Sequence, residues 1–300
     1  MSTMIWLLRR EYWEHRVGLR NIPLITAGVL AAIATLTVIG ASIWGPRAGA
    51  QGASLQAALR LAIEHSPVQA ARQLAEALQS VVVVFAVIQA LVLFFYLLGA
   101  LYDDRRDRSA WFWSSMPVSH TETVASKALI GLLVMPLVTI AVTLAFQAFL
   151  VVLSLVTVAV HGVSPWPLLG ALTGLGAHAL KAVVFLPIHV LLALPAVGWL
   201  LLVSAWARRR PFLWAVLVPL IAALCLVVLE GSGLPAADLA GELLGRLGMG
   251  LFSNPWYLGT GALAAHEVLT APGLWVGALA GVAGLAGAIN ARTRSLDTSD

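Results

Sequence analysis

Charged residues are scarce in this chain of 300 residues. Only 11% of the residues are Asp, Glu, Lys or Arg, and 60% are hydrophobic, whereas about a quarter of an ordinary soluble domain is charged. A soluble fold cannot bury that much apolar surface. Apolar runs of roughly 18 residues or more recur along the chain, and each is long enough to cross a ~30 Å hydrocarbon layer as a helix. The bilayer is therefore the solvent for most of the chain.

Lysine is almost absent, which argues against ATP hydrolysis by this chain. A phosphate-binding P-loop needs Gly-Lys followed by Ser or Thr. The only lysines, Lys127 and Lys181, follow Ser126 and Leu180, so neither fits that motif. We expect no cofactor in this chain, and any ATPase that drives it, with its ATP and Mg, is a separate polypeptide.

Motifs for disulfides, metals and catalysis are missing as well. The single cysteine, Cys225, lies in an apolar run and is interpreted as a packing residue. The sequence has no His-Glu-x-x-His and no Gly-x-Ser-x-Gly motif, so it predicts no metal site and no catalytic residue. His189 is the only ionisable residue deep inside a predicted span, and we interpret it as a packed helix residue rather than a substrate ligand. This scarcity argues against a proton- or sodium-coupled carrier.

The apolar runs predict a single all-α transmembrane domain with six spans. The predicted spans are 22–44, 80–101, 127–156, 182–207, 211–230 and 272–291. The segments between them would be an N-terminal interfacial helix (1–21), a cytoplasmic segment (102–126) and two periplasmic segments (45–79 and 231–271). The third apolar run is either longer than the membrane or bent near Pro136, and Pro187 and Pro195 should bend the fourth span.

The basic residues predict the orientation of the spans. Of the 18 Lys and Arg residues, only Arg47, Arg60, Arg72, Lys181 and Arg246 lie on the predicted outer side. This asymmetry places both termini in the cytoplasm of a bacterial inner membrane. Because the basic clusters lie beside the apolar runs, topology explains the net charge of +4 better than a nucleic-acid partner does.

Three segments outside the spans have amphipathic patterns. Residues 4–20 alternate aromatic and charged side chains, which predicts a helix in the cytoplasmic interface. In residues 52–79, Ser66-Pro67 starts a helix that could run on into the second span. Residues 234–252 carry a leucine stripe and predict a surface helix on the outer face. In the last span, Gly277, Gly281, Gly284 and Gly287 favour close helix packing.

Residues 102–123, with the sequence YDDRRDRSAWFWSSMPVSHTET, are short, aromatic and rich in both signs of charge. Tryptophan and arginine are enriched at interface hot spots, so this segment could dock a cytoplasmic partner. Alternatively, the charges are solvated and the tryptophans lie among the lipid headgroups.

Three stretches resemble the ABC-2 class, the membrane permeases of type-2 ABC exporters. They are LLRREYWEHR near the N-terminus, LYDDRRDRSAWFWSSMPVSHTETVASK after the second span, and SNPWYLG before the last span. The resemblance implies a permease with six spans that pairs with a second copy or a sister permease and binds cytoplasmic nucleotide-binding ATPases. Residues 103–121 would then be the coupling element, 5–16 a connecting helix and 234–252 an outer cap.

The resemblance also implies roles for individual residues. Those that would couple the permease to its ATPase are Asp103, Asp104, Arg105, Arg106, Asp107, Arg108, Trp111, Trp113, Arg9, Arg10 and Glu14. The residues that could face a translocation path are Gln89, Thr139, Thr143 and Gln147; they could equally form hydrogen bonds between the second and third spans.

The leading hypothesis is an ATP-driven exporter permease for an amphipathic or envelope-related substrate, such as a lipid, a peptide antibiotic or a drug. Membrane lipids are further expected partners. The alternatives are a membrane scaffold or sensor that docks a cytoplasmic partner without transport, and a membrane enzyme that acts on lipids.

Overall fold

A computed structural model describes residues 3–44, 55–106, 118–230, 241, 244–247, 250–251 and 265–297. These residues form helices and their connections, without strands, so the predicted all-α class is confirmed. The helices, numbered here in chain order, are α1 (Thr3–Glu14), α2 (Ile22–Trp44), α3 (Leu55–Arg60), α4 (Pro67–Ala100), α5 (Tyr102–Arg106), α6 (His120–Leu129), α7 (Met135–Val160), α8 (Gly170–Val184), α9 (Leu186–Trp206), α10 (Pro211–Glu230), α11 (Ala265–Thr270) and α12 (Pro272–Asp297).

Several described helical segments are long and apolar enough to cross a membrane. There are five of them: Val17–Ile43, Pro67–Arg106, His120–Val160, Leu186–Trp206 and Pro272–Arg294. They correspond to five of the six predicted spans. The remaining predicted span is α10, in which Pro211–Leu226 is a shorter apolar helix. The chain is a multi-pass membrane protein, and the number six stays a prediction.

The N-terminal helix α1 is amphipathic and leads almost directly into α2. It buries Leu7 and Glu11, while Trp6 and Trp13 are exposed. A π-helical turn, Val17–Asn21, connects it to α2. Hardly any of the α2 span is buried, because only one edge of this helix packs on the phenylalanine cluster between α4 and α7.

Helix α4 begins at Pro67 and continues without a break to Ala100, so the predicted continuity with the second span is confirmed. Its 34 residues are about 50 Å long at 1.5 Å per residue. This length exceeds the ~30 Å hydrocarbon layer. An untilted helix of this length extends beyond that layer.

The third span starts with a capped helix and contains an irregular turn. Ser119 and Glu122 form a reciprocal capping box at the start of α6, which satisfies backbone donors that the first helical turn leaves unpaired. A π-helical turn, Ile130–Val134, then separates α6 from α7. Because Pro136 has no N–H and crowds the preceding turn, the regular hydrogen-bond ladder is interrupted at the place where a bend was expected.

The fourth predicted span, 182–207, is divided between two helices instead of forming one. α8 ends at Val184 and α9 starts at Leu186. Pro187 lies in the first turn of α9, where a missing N–H costs nothing; it begins a helix rather than bending one. Pro195 does lie inside α9.

Helices α9 and α12 form the most extensive helix contact in the described residues, and glycine makes it possible. A Cβ atom on Gly198 would collide with the backbone carbonyl oxygen of Gly281. A Cβ atom on Gly281 would come 2.5 Å from the carbonyl oxygen of Leu194 and 2.8 Å from the nitrogen of Pro195. Small residues let helix backbones approach closely in lipid, so the close packing predicted for the last span is confirmed.

Part of the segment predicted as an outer surface helix lies against α9 and α12. Gly250 is so close to α9 that an added Cβ would lie 2.9 Å from the carbonyl oxygen of Leu192, and the Arg246 side chain covers Gly277 of α12. Of residues 234–252, only 241, 244–247, 250 and 251 are described, and the others, including Leu239 and Leu243, lie outside the described residues.

Candidate coupling site

Four charged side chains are buried together at one end of the bundle. Glu11 and Lys127 are each 1% exposed, Arg292 is 4% exposed and Asp104 is 9% exposed. The Lys127 Nζ lies 2.9 Å from the Glu11 Oε1 and 3.4 Å from the Asp104 Oδ2. The Arg292 Nη1 lies 3.3 Å from the same Asp104 oxygen. We call these four residues the ion network.

Each member of the ion network comes from a different helix. Glu11 belongs to α1, Asp104 to α5, Lys127 to the last turn of α6, and Arg292 to the end of α12. The network thus joins segments that are far apart in the sequence. It lies at the end of the bundle that the charge distribution predicts to be cytoplasmic.

The network is electrically balanced, with two acidic and two basic side chains. Removing an ion from water costs several kcal/mol, and a partner repays that cost only in good geometry. Glu11 has further contacts that hold it in place. The Tyr96 hydroxyl donates to its Oε2 at 3.4 Å, and the Nε2 of His15 lies 3.8 Å from that oxygen. Loss of any one charge would leave another buried without compensation.

Hydrogen bonds between side chains and the backbone attach α5 and the residue before it to the end of α9. The Ser204 hydroxyl oxygen accepts from the backbone N–H groups of Leu101 and Tyr102, both at 3.0 Å. In return, the Arg105 Nη2 donates to the carbonyl oxygens of Ser204 at 2.6 Å and Ala207 at 3.0 Å. Carbonyl groups at a helix C-terminus lack partners within the helix, and Arg105 supplies one. The start of the predicted coupling segment is therefore bound to the transmembrane body.

The predicted coupling residues fall into three groups. Arg9, Asp103, Arg106 and Glu14 are exposed, and the half-buried Arg10 pairs with Glu14 at 3.4 Å. Asp104 and Arg105 make the internal contacts described above. The remaining ones, Asp107, Arg108, Trp111 and Trp113, lie outside the described residues. Contact with an ATPase remains a prediction for all of them.

No motif in the sequence indicated a functional role for Glu11, Tyr96, Lys127 or Arg292. A signal for Glu11 was present, because it follows Leu7 by four residues and so shares its face of the helix; these two are the buried residues of α1. Lys127 was recognisable only as a cation at the edge of an apolar run. Nothing in the local sequence indicated that Arg292 would meet Asp104.

The four predicted translocation-path residues are all buried, in α4 and α7. The Gln147 Nε2 donates to the Leu78 carbonyl oxygen at 2.8 Å, which joins the two helices. Thr143 donates to the Thr139 carbonyl oxygen within α7 at 2.7 Å. Gln147 thus makes the interhelical hydrogen bond of the alternative interpretation, and a role in a path remains a prediction.

Residues 75–204 match the family model described as ABC-2 family transporter protein. This match supports an ABC-2 type permease. The resemblance inferred from the sequence is thereby confirmed. The matched ABC-2 segment contains Asp104 and Lys127 of the ion network, whereas Glu11 and Arg292 lie outside it. No curated protein and no solved structure matches the chain.

The ABC-2 match gives the coarse role of the chain. It indicates the permease component of an ABC transporter, a membrane transport component that is distinct from the ATPase. The family implies association with an ABC ATPase subunit.

Proposed function

We propose that this chain is the permease subunit of an ATP-driven exporter for an amphipathic or envelope-related substrate, such as a lipid, a peptide antibiotic or a drug. Two copies, or this chain and a sister permease, would assemble with cytoplasmic ATPases in a bacterial inner membrane. Both termini would be cytoplasmic, in line with the distribution of Lys and Arg.

The ion network is the observation that carries this proposal. Asp104 belongs to the short helix that opens the segment between the second and third predicted spans. It contacts Lys127 and Arg292, and through Lys127 it is joined to Glu11. A displacement of α5 would therefore be transmitted through these ion pairs to α1, α6 and α12.

Exposed charges surround this buried network and provide a surface for a partner. Asp103 and Arg106 lie on α5 beside Asp104, and Arg9 lies on α1 two residues before Glu11; all three are exposed. An ATPase that binds these groups could push on α1 and α5. Separating the buried charges of these helices would have a large free-energy cost. The helices would move as a unit, which is the mechanical requirement for coupling ATP binding to tilting of the spans.

Charge reversal of Arg106 tests the coupling surface, and Arg72 offers a matched control. Both arginines are exposed, but Arg72 lies near the opposite end of α4 and pairs only with the exposed Glu76 among the described contacts. We expect a P-loop ATPase to copurify with the tagged chain in mild detergent and to hydrolyse ATP measurably. Arg106→Glu should reduce that hydrolysis to the level of the ATPase alone, whereas Arg72→Glu should leave it unchanged.

The possible results separate the function classes. If no P-loop ATPase is recovered, the exporter proposal is wrong and a scaffold or sensor is favoured. If the ATPase is recovered but Arg106→Glu and Arg72→Glu behave alike, the chain is a permease and the assigned coupling surface is wrong.

A further inference from the structure

A basic groove lies beside the ion network, at the point where α9 ends and α10 begins. Its volume is about 980 Å³. Four arginines line it: Arg105, Arg208, Arg209 and Arg294. None of its described lining residues is acidic. The groove therefore concentrates positive charge in one concave place.

Two tryptophans stand at the same groove. Trp206 closes α9 and Trp214 lies in the first turn of α10, and their rings meet edge to face with centroids 5.3 Å apart. Trp206 is 59% exposed and Trp214 is 42% exposed. Indole rings favour the membrane interface, where an apolar body can meet lipid chains and the N–H can meet water or headgroups.

The remaining lining of the groove is largely apolar. Leu202 and Ala205 of α9 and Gly287 of α12 also line it, and the Leu202 side chain lies against Gly287. The groove thus combines a basic rim, an aromatic edge and an apolar floor. A free inorganic anion would contact only the basic rim. An acidic protein surface would leave the apolar floor between the transmembrane helices without a contact.

Arg105 has a donor that no other described residue uses. Its Nη2 is occupied by the carbonyl oxygens of Ser204 and Ala207, which hold the guanidinium in a defined orientation. Its buried Nε has no hydrogen-bond partner among the described residues. Guanidinium groups bind phosphate oxygens through several parallel N–H donors, and Arg105 lines the groove.

We infer that the groove binds the headgroup phosphate of an anionic phospholipid from the adjacent leaflet, with one acyl chain along the apolar floor. Basic pockets between transmembrane helices are a known way to recognise anionic lipid headgroups. Arg208 and Arg209 supply attraction at the rim, Arg105 supplies an oriented donor, and the tryptophans mark the depth of the headgroup. The site requires no ATPase, so it does not depend on the proposed transport function.

The test is a lipid titration of the purified full-length chain in a neutral detergent, followed by native mass spectrometry. The probes are phosphatidylglycerol, phosphatidylcholine and inorganic phosphate. The variant is Arg208→Gln/Arg209→Gln, which changes two exposed residues in the connection between α9 and α10. The matched control is Arg60→Gln/Arg72→Gln, which removes the same charge from two exposed arginines outside the groove.

We expect tight binding of phosphatidylglycerol, weaker binding of phosphatidylcholine, and a loss of about tenfold or more in phosphatidylglycerol affinity in the groove variant. The control should bind as the unmodified chain does.

Equal binding of the two lipids, or equal affinity in both double variants, would overturn the proposal. Displacement of the lipid by millimolar phosphate would reassign the groove to free anions. Unchanged lipid binding together with loss of the ATPase from the groove variant would reassign it to a protein partner.

Discussion

Helices α2 and α9 are similarly apolar and both are long enough to cross a membrane, yet their surroundings differ completely. Hardly any of the α2 span is buried within the chain, whereas more than half of the α9 span is. The glycines explain much of this difference. Nothing lies within 4 Å of a Cβ added to Gly28 or Gly40 of α2, while Gly198 of α9 is in backbone contact with α12. Hydropathy identifies a span, but it does not say whether the span meets lipid or protein.

The largest expected effect comes from enlarging a glycine in each helix. Gly198→Leu forces a side chain into the α12 backbone, which cannot move aside, and should cost more than about 4 kcal/mol. Gly28→Leu in α2 adds a side chain where there is open space. We expect the first variant to fail to accumulate as folded protein and the second to accumulate normally, as measured by fluorescence-detected size exclusion. Normal accumulation of Gly198→Leu would contradict the close α9–α12 contact.

The next largest expected effect is a loss of stability when the attachment of α1 and α2 to the other helices is weakened. Together with the buried Leu7 and Leu19, the Glu11–Lys127 pair attaches this N-terminal unit to the other helices. Lys127→Met leaves two buried carboxylates without this cation and should destabilise the chain by about 3–5 kcal/mol. Thermal unfolding in detergent measures the loss.

Two further variants sharpen that test. Glu11→Gln combined with Lys127→Met removes one charge of each sign, and we expect it to recover part of the lost stability. Glu14→Gln alters an exposed pair on the same helix, and it should change stability by less than about 1 kcal/mol. If Lys127→Met and Glu14→Gln unfold at the same temperature, the network does not hold α1.

The smallest expected effect comes from removing a side-chain hydrogen bond between α4 and α7, compared with removing one within α2. Gln147→Leu removes the hydrogen bond to the Leu78 carbonyl oxygen, and hydrogen bonds between transmembrane helices average about 0.6 kcal/mol. Thr37→Val in α2 removes only a bond to the Ile33 carbonyl oxygen of its own helix and is the control. A small loss of stability with unchanged transport would identify Gln147 as a packing residue. Lost transport at full stability would instead support its place in a translocation path.

Much of the fold could be predicted because it depends on local patterns. Runs of apolar residues indicated the spans, and alternating aromatic and charged residues indicated α1. Pro136 indicated a possible bend in the third span, and the irregular turn Ile130–Val134 lies just before it. Ser119 and Glu122, three residues apart, also carried the capping-box pattern, although it was not used to place the start of α6.

The candidate site was predictable only in part. The charges of residues 102–108 indicated a functional segment, but they did not reveal which of them point inward. Asp104 and Arg106 are two positions apart on one short helix, and one is buried while the other is exposed. Their difference depends on Lys127 and Arg292, which reach Asp104 from other helices.

The sequence by itself determined that this protein is an all-α, multi-pass membrane protein that resembles ABC-2 permeases, because hydropathy, charge asymmetry and short motifs are local properties. Only the tertiary structure decided that α9 packs on α12 while α2 remains exposed, and that four charges from four helices form one buried network. The physical reason is distance along the chain. Glu11 and Lys127 are 116 residues apart, and Asp104 and Arg292 are 188 apart, so their attraction exists only after the helices have packed.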